Sequence, residues 1–141
     1  MKIASFLTAL VGVQPVAAWE YVYLVNSRKG NEISSGMAYY GEGHSAANMA
    51  RPDDYVDIRH GSNIQWEGLS LKGTFGSGVS FTSNIFADAG SKEINSWVGT
   101  GTNGYQKFNC YKGFSPRGSP FILYKVDGWD VYSIYFCMNN G

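Results

Sequence analysis

The chain has 141 residues, and its 11 Lys plus Arg balance 11 Asp plus Glu, so the formal charge is zero. That length holds one domain and is too short for two ordinary ones. The balance excludes both the broad basic footprint of a nucleic-acid binder and a polyacidic tail. Aromatic residues make up 16% and charged residues 16%, a composition that folds and does not stay disordered.

The N-terminus is read first because it sets the compartment. Met1-Lys2 gives a positive start, 3–13 is a nearly unbroken apolar run, and Gln14-Pro15 ends it. Val16-Ala17-Ala18 then offers small residues where a signal peptidase reads, so 1–18 has the three-part layout of a secretory leader. The apolar run of 11 residues is shorter than the roughly 20 that a membrane anchor needs. Cleavage after Ala18 is predicted, which leaves 19–141 as a single β-rich domain with a formal charge of −1. No later apolar stretch is long enough to span a bilayer. The expected product is secreted and extracellular. In an oxidising compartment an even pair of cysteines forms a disulfide, and Cys110 and Cys137 are the pair. Neither has a His nearby in sequence, so a catalytic thiol is disfavoured.

In chain order, 19–26 is rich in aromatic and β-branched residues and reads as a central strand. Gly30-Asn31 is a turn signal, and 33–40 is expected to pair back. The stretch 45–51 is the one with helix propensity, with Ser45 as cap and Pro52 as stop. Short strands are predicted over 55–59, 63–66, 69–75, 79–85, 94–98, 105–111, 121–126 and 129–137. Breaks such as Gly61-Ser62, Gly76-Ser77-Gly78 and Gly99-Thr100-Gly101 separate them. Gly99 to Gly104 resembles a phosphate loop only superficially, since it lacks the Lys and the following helix; it reads as a surface loop or sheet corner. The predicted fold is all-β, a compact β-sandwich or barrel of about eight short antiparallel strands, with one disulfide and at most one short helix.

The sharpest local expectation is a hairpin. Asp127-Gly128 suits a type I′ turn, whose central residues both take positive φ. Opposed positions then sum to 255, placing Lys125 across from Asp130 and Tyr124 across from Val131. In that register Cys137 shares a face with Trp129, Val131 and Tyr135. A bond to Cys110 ties the second hairpin strand to the 105–111 strand.

Chemistry is sparse. The two histidines, His44 and His60, could join Asp53, Asp54 or Asp57, but no metal-ligand spacing is present. Asp57 and His60 fall on opposite faces of a regular strand. No metal and no cofactor is expected. A ribonuclease needs a base, an acid and an Arg on one sheet face, and His60, Glu67, Arg59, His44 and Arg51 are the candidates. No Gly-x-Ser-x-Gly elbow is present. Trp19, Trp66, Trp97 and Trp129 are expected mostly in the core, with a few rings left for a sugar-stacking or recognition patch.

Two resemblances bear on function. Tyr105-Gln106-Lys107-Phe108 and Tyr111-Lys112-Gly113-Phe114 resemble a segment of the fungal guanyl-specific ribonucleases. Lys107 stands where that family has its first catalytic histidine, and 121–126 contains no acid where its base glutamate falls. Residue by residue, this resemblance implies a fold relative with the active site missing, and a secreted guanyl-type ribonuclease or an inactive relative of one is kept as an alternative function. The leader, the Tyr- and Gly-rich domain and the block from Phe108-Asn109-Cys110 through Asp127-Gly128-Trp129 to Tyr135-Phe136-Cys137 are similar to small secreted fungal effector candidates and killer-toxin-like proteins. That similarity implies export followed by binding of a host or competitor protein or cell-surface component, without catalysis. On this reading the protein is a monomer that does not bind DNA. A lectin-like carbohydrate-binding module is the third alternative.

Overall fold

Turn chemistry cuts the chain into strands. Gly30, at φ +60°, reverses it between β1 (Tyr21–Lys29) and β2 (Glu32–Tyr40), which pair from Lys29 opposite Glu32 to Tyr21 opposite Tyr40. The structure, a computed structural model, describes residues 19–113 and 122–139. The expected leader 1–18, and Phe121 of the predicted 121–126 strand, lie outside them. Next come β3 (Asp54–His60), β4 (Ser70–Thr74), β5 (Ser80–Ile85), β6 (Trp97–Thr102) and β7 (Lys107–Lys112). The series ends with β8 (Ile122–Val126) and β9 (Trp129–Asn139).

The strands pair antiparallel in the order β3-β2-β1-β9-β7-β6-β5-β4, with β8 beside β9 and off this path. The result is a nearly closed barrel of eight strands, within the all-β class that the strand pattern predicts. The seam between β3 and β4 is closed by side chains. Gly73 on β4 has no Cβ, and the space one would need is held by Ile58, Val56 and Met37. Among the described residues no helix is long and apolar enough to cross a membrane.

Two apolar clusters result. The barrel interior holds Val22, Leu24, Met37, Trp66, Phe81, Ile85, Phe108 and Tyr135 among others. The second cluster includes Tyr23, Val25, Tyr40, Leu123, Tyr124, Val131 and Phe136. Strands β1, β2 and β9 thus contribute to both clusters, so they read as apolar on both faces.

β9 changes neighbours along its length. Its first half pairs with β8 and its second half with β7, while β1 runs along its other side throughout. The hairpin register is as predicted, with Lys125 opposite Asp130 and Tyr124 opposite Val131. Asp127 and Gly128 both take positive φ, +49° and +85°. The predicted common face for Cys137, Tyr135, Val131 and Trp129 needs correction. Against β1, Tyr135 opposes Leu24 and Ser133 opposes Val25, so Ile134 is an extra residue, a bulge that reverses the in–out alternation. Val131 therefore packs in the second cluster, and Tyr135 and Cys137 in the interior. Cys137 stands directly opposite Cys110 and is bonded to it.

Three local expectations also change. Residues 45–51 form only a three-residue 3-10 turn, Ala47–Met49, with Asn48 and Met49 at φ +59° and +60°; a stretch this short does not sustain an α-helix. Residues 63–66 are not a strand, and Trp66 is almost wholly buried in the barrel. Gly99-Thr100-Gly101 is not a break but the middle of β6. A Cβ on Gly101 would meet the Phe81 ring, and one on Gly99 the backbone of Asn84 and Ile85. These glycines make room for neighbours inside the sheet.

Candidate functional site

β3 carries a bulge of its own. Arg59 opposes Ser35 and Asp57 opposes Gly36, so Ile58 is the extra residue. Directly opposed residues share a face, and Ser34 opposes His60. Asp57 and His60 therefore come to the same side, with Nδ1 of His60 at 3.7 Å from Oδ2 of Asp57. A regular strand separates these two positions, so the opposite-face expectation is corrected by the bulge. Arg59 is left on the other face.

These residues line a cleft of about 410 Å³ between β3 and the β8–β9 hairpin. Tyr55, Asp57 and His60 come from β3, and Tyr124, Val126, Trp129 and Val131 from the hairpin. Arg51 and Pro52 stand between the 3-10 turn and β3, and Ser27 and Ser34 come from β1 and β2. Ser34 Oγ lies 3.0 Å from Asp57 Oδ1 and 2.9 Å from the Arg59 carbonyl oxygen, its single hydroxyl hydrogen shared between the two acceptors. The His60 ring meets Trp129 edge-on at 5.9 Å, and its Nε2 lies 3.9 Å from Glu32 Oε1.

Burial, followed by the charge of Asp57, pushes the Tyr124 phenol up to about 12, with Arg51 opposing. The same two causes, in the same order, raise Tyr55. Both phenols are thus hydrogen-bond donors at neutral pH. Ser27 Oγ lies near enough to the Tyr55 phenol to favour its ionised form. It is nevertheless buried, at 5% exposure, and closes no hydrogen bond of its own among the described residues.

The ribonuclease candidates do not converge. His44 lies on the β2–β3 connection, with Nδ1 2.9 Å from Asp53 Oδ1. It sits near the start of β3 and His60 at its end, roughly 20 Å away along the strand at about 3.3 Å per residue. Glu67 accepts the Tyr135 hydroxyl, away from both histidines. Arg59 points away from His60. Among the described residues, no group of three or more His, Cys, Asp or Glu is arranged to hold a metal ion. Nor does the cleft assemble a nucleophilic triad. In Ser34–Asp57–His60 the carboxylate stands between hydroxyl and imidazole, whereas the imidazole must be the middle member to take the hydroxyl proton.

A second opening, of about 580 Å³, has Glu20, Asp53 and Asp54 among aromatic walls that include Tyr39, Phe75, Phe81 and Phe108. The Tyr39 hydroxyl donates to Glu20 Oε2 at 3.0 Å. Burial first, then Glu20, pushes its phenol up to about 12.

Sequence reading set His60 beside Asp57 as metal candidates and beside Arg51 as ribonuclease candidates but did not bring the three together, and it missed Tyr55, Tyr124, Ser27 and Ser34 as cleft residues. The Asp127-Gly128 register was the usable signal for Tyr124, because it fixes which side of the hairpin Tyr124 and Val131 share. Compared with known proteins, the chain matches no family model, no curated protein and no solved structure.

Proposed function

We propose that this protein is an exported binding domain that engages a host or competitor component through the cleft between β3 and the β8–β9 hairpin, without turning it over. The observation that carries the reading is the make-up of that cleft. It has aromatic walls on two sides and hydrogen-bonding groups between them, the combination that typifies ligand sites. The leader sequence 1–18 and the Cys110–Cys137 bond support export. The similarity of the 108–137 block to small secreted fungal proteins supports a target outside the producing cell. The separation of His44, His60, Glu67 and Arg59 supports contact over catalysis, because acid–base chemistry needs its groups within reach of one point.

The test is to incubate fluorescently labelled protein with intact plant, fungal and bacterial cells, comparing wild type with Trp129→Ala. The same preparations are assayed against RNA, glycan and peptide substrates. The expected result is saturable surface binding that weakens at least tenfold in Trp129→Ala, with no turnover. Substrate turnover at an enzyme-like rate that disappears in His60→Ala would replace this reading with the hydrolase one.

A further inference from the structure

We propose that the cleft between β3 and the β8–β9 hairpin is a carbohydrate site that takes an uncharged sugar ring. The inference rests on the binding reading above and adds the ligand's chemical class. Three features of the cleft carry it.

The first is its mixture of surfaces. Tyr55, Tyr124 and Trp129 offer aromatic area, and a pyranose presents C–H faces that pack on such rings. A purely apolar ligand would leave the polar groups between those rings desolvated and unpaired, which is unfavourable.

The second is the character of those polar groups. Asp57 accepts from Ser34 and from the Tyr55 phenol and keeps acceptor capacity beyond these two, because a carboxylate has about four lone-pair positions. Arg51 and the Tyr124 phenol are donors. Ser27 brings a buried hydroxyl beside the Tyr55 phenol. Acceptors and donors thus stand side by side in one cleft. A sugar hydroxyl, which donates and accepts at once, matches that arrangement. A fully ionised phosphate only accepts and an ammonium only donates.

The third is charge. Arg51 and Asp57 both line the cleft and carry opposite charges, so its lining holds no excess of fixed cationic or anionic side chains. Phosphate and nucleic-acid sites instead gather several cationic groups. The volume of about 410 Å³ lies near the lower end of the range for small-molecule sites, suited to a short sugar segment.

The test uses protein expressed from the full chain with its disulfide intact. It is applied to immobilised neutral glycans (glucans, mannans and chitin oligomers) beside uronate-bearing and phosphorylated ones. Wild type, Trp129→Ala, Trp129→Phe, Asp57→Asn and Ser27→Ala are compared, each with a thermal unfolding curve. The expected result is selective binding of a neutral glycan. Affinity should fall at least tenfold in Trp129→Ala and Asp57→Asn, and less in Trp129→Phe, which keeps a ring. Ser27→Ala is the most telling variant, since it should lose affinity several-fold while unfolding at the same or a higher temperature. Absence of neutral-glycan binding, preference for the anionic arms, or affinity unchanged across all four variants would overturn the sugar assignment. If neutral glycans fail while Trp129→Ala still abolishes cell-surface binding, the sugar class falls and the binding reading stands. If cell-surface binding is absent as well, both fall.

Discussion

The phenol of Tyr55 lies across Gly36 on the neighbouring strand, so that a Cβ at Gly36 would fall among Tyr55 ring atoms and against the Val56 carbonyl oxygen. One wall of the cleft is therefore set by a missing side chain on β2. Because part of the obstruction is backbone, rotating Tyr55 cannot relieve it. Gly36→Ala should destabilise the fold by about 1–3 kcal/mol, the usual range for overpacking, and should displace Tyr55 from the cleft. Urea unfolding together with ligand titration checks this. An unchanged midpoint with intact binding would contradict it.

Alkaline pH should unfold the protein steeply. Tyr23, Tyr39, Tyr40, Tyr55, Tyr124 and Tyr135 all have phenols raised above the ordinary value of 10, with burial as the largest cause each time. A raised folded value means that the folded state holds the proton longer than the unfolded chain does. The stabilisation is therefore complete below about pH 10 and is lost as pH climbs through the folded values, about 12 for Tyr39 and Tyr124. Denaturation curves collected from pH 7 to 12 should be flat with respect to these groups up to about pH 9 and then fall. Phenolate absorbance from the six should appear together with unfolding. Their titration near pH 10 in a folded protein would refute the assignment.

Ser83 faces the barrel interior from β5, fully buried, with no hydrogen-bond partner for its hydroxyl among the described residues. An unpaired buried hydroxyl carries a desolvation penalty of about 1–3 kcal/mol. Ser83→Ala removes that group and leaves only a small void, so it should stabilise the protein by about 1 kcal/mol in chemical denaturation. A loss of stability would mean that the hydroxyl is satisfied.

Replacing both Cys110 and Cys137 by Ala should cost about 3–4 kcal/mol, the chain-entropy value for a loop of this length, given their sequence separation of 27. The bond fastens β7 to β9, so the double variant should also lose hydrogen-exchange protection first along that pair. Uniform loss across the barrel would argue that the bond acts only on the unfolded chain.

The sequence was most legible where structure is decided locally. Asp127-Gly128 fixed the β8–β9 register because both residues tolerate the positive φ that a type I′ turn demands. The pairing of Cys110 with Cys137 followed from a count of two. The misread segments are those decided by distant neighbours. Gly99 and Gly101 looked like punctuation, yet they are strand residues because Phe81, Asn84 and Ile85 occupy the adjoining space. Neither Ile58 nor Ile134 differs in kind from other apolar strand residues, so nothing in their own sequence announces a bulge. Each is fixed by the strand across from it, and each reverses which side chains face which way. For this reason Asp57 and His60 were assigned to opposite faces, and the cleft could not be assembled from sequence alone.

The pairing of β1 with β9 joins Tyr21 to Met138, nearly the full span of the described chain. The β1–β2 hairpin can form as soon as its two strands emerge, but the other edge of β1 has no mate until β9 arrives. Closure therefore awaits an encounter of very high sequence separation, and folding should be slow for a domain of this size. Until then a tyrosine-rich strand stands with its amide edge bare, which is the hazard that draws unfinished β-proteins into aggregates. A chain whose first strand is mated by its ninth can finish its barrel only after nearly the whole described domain has been made.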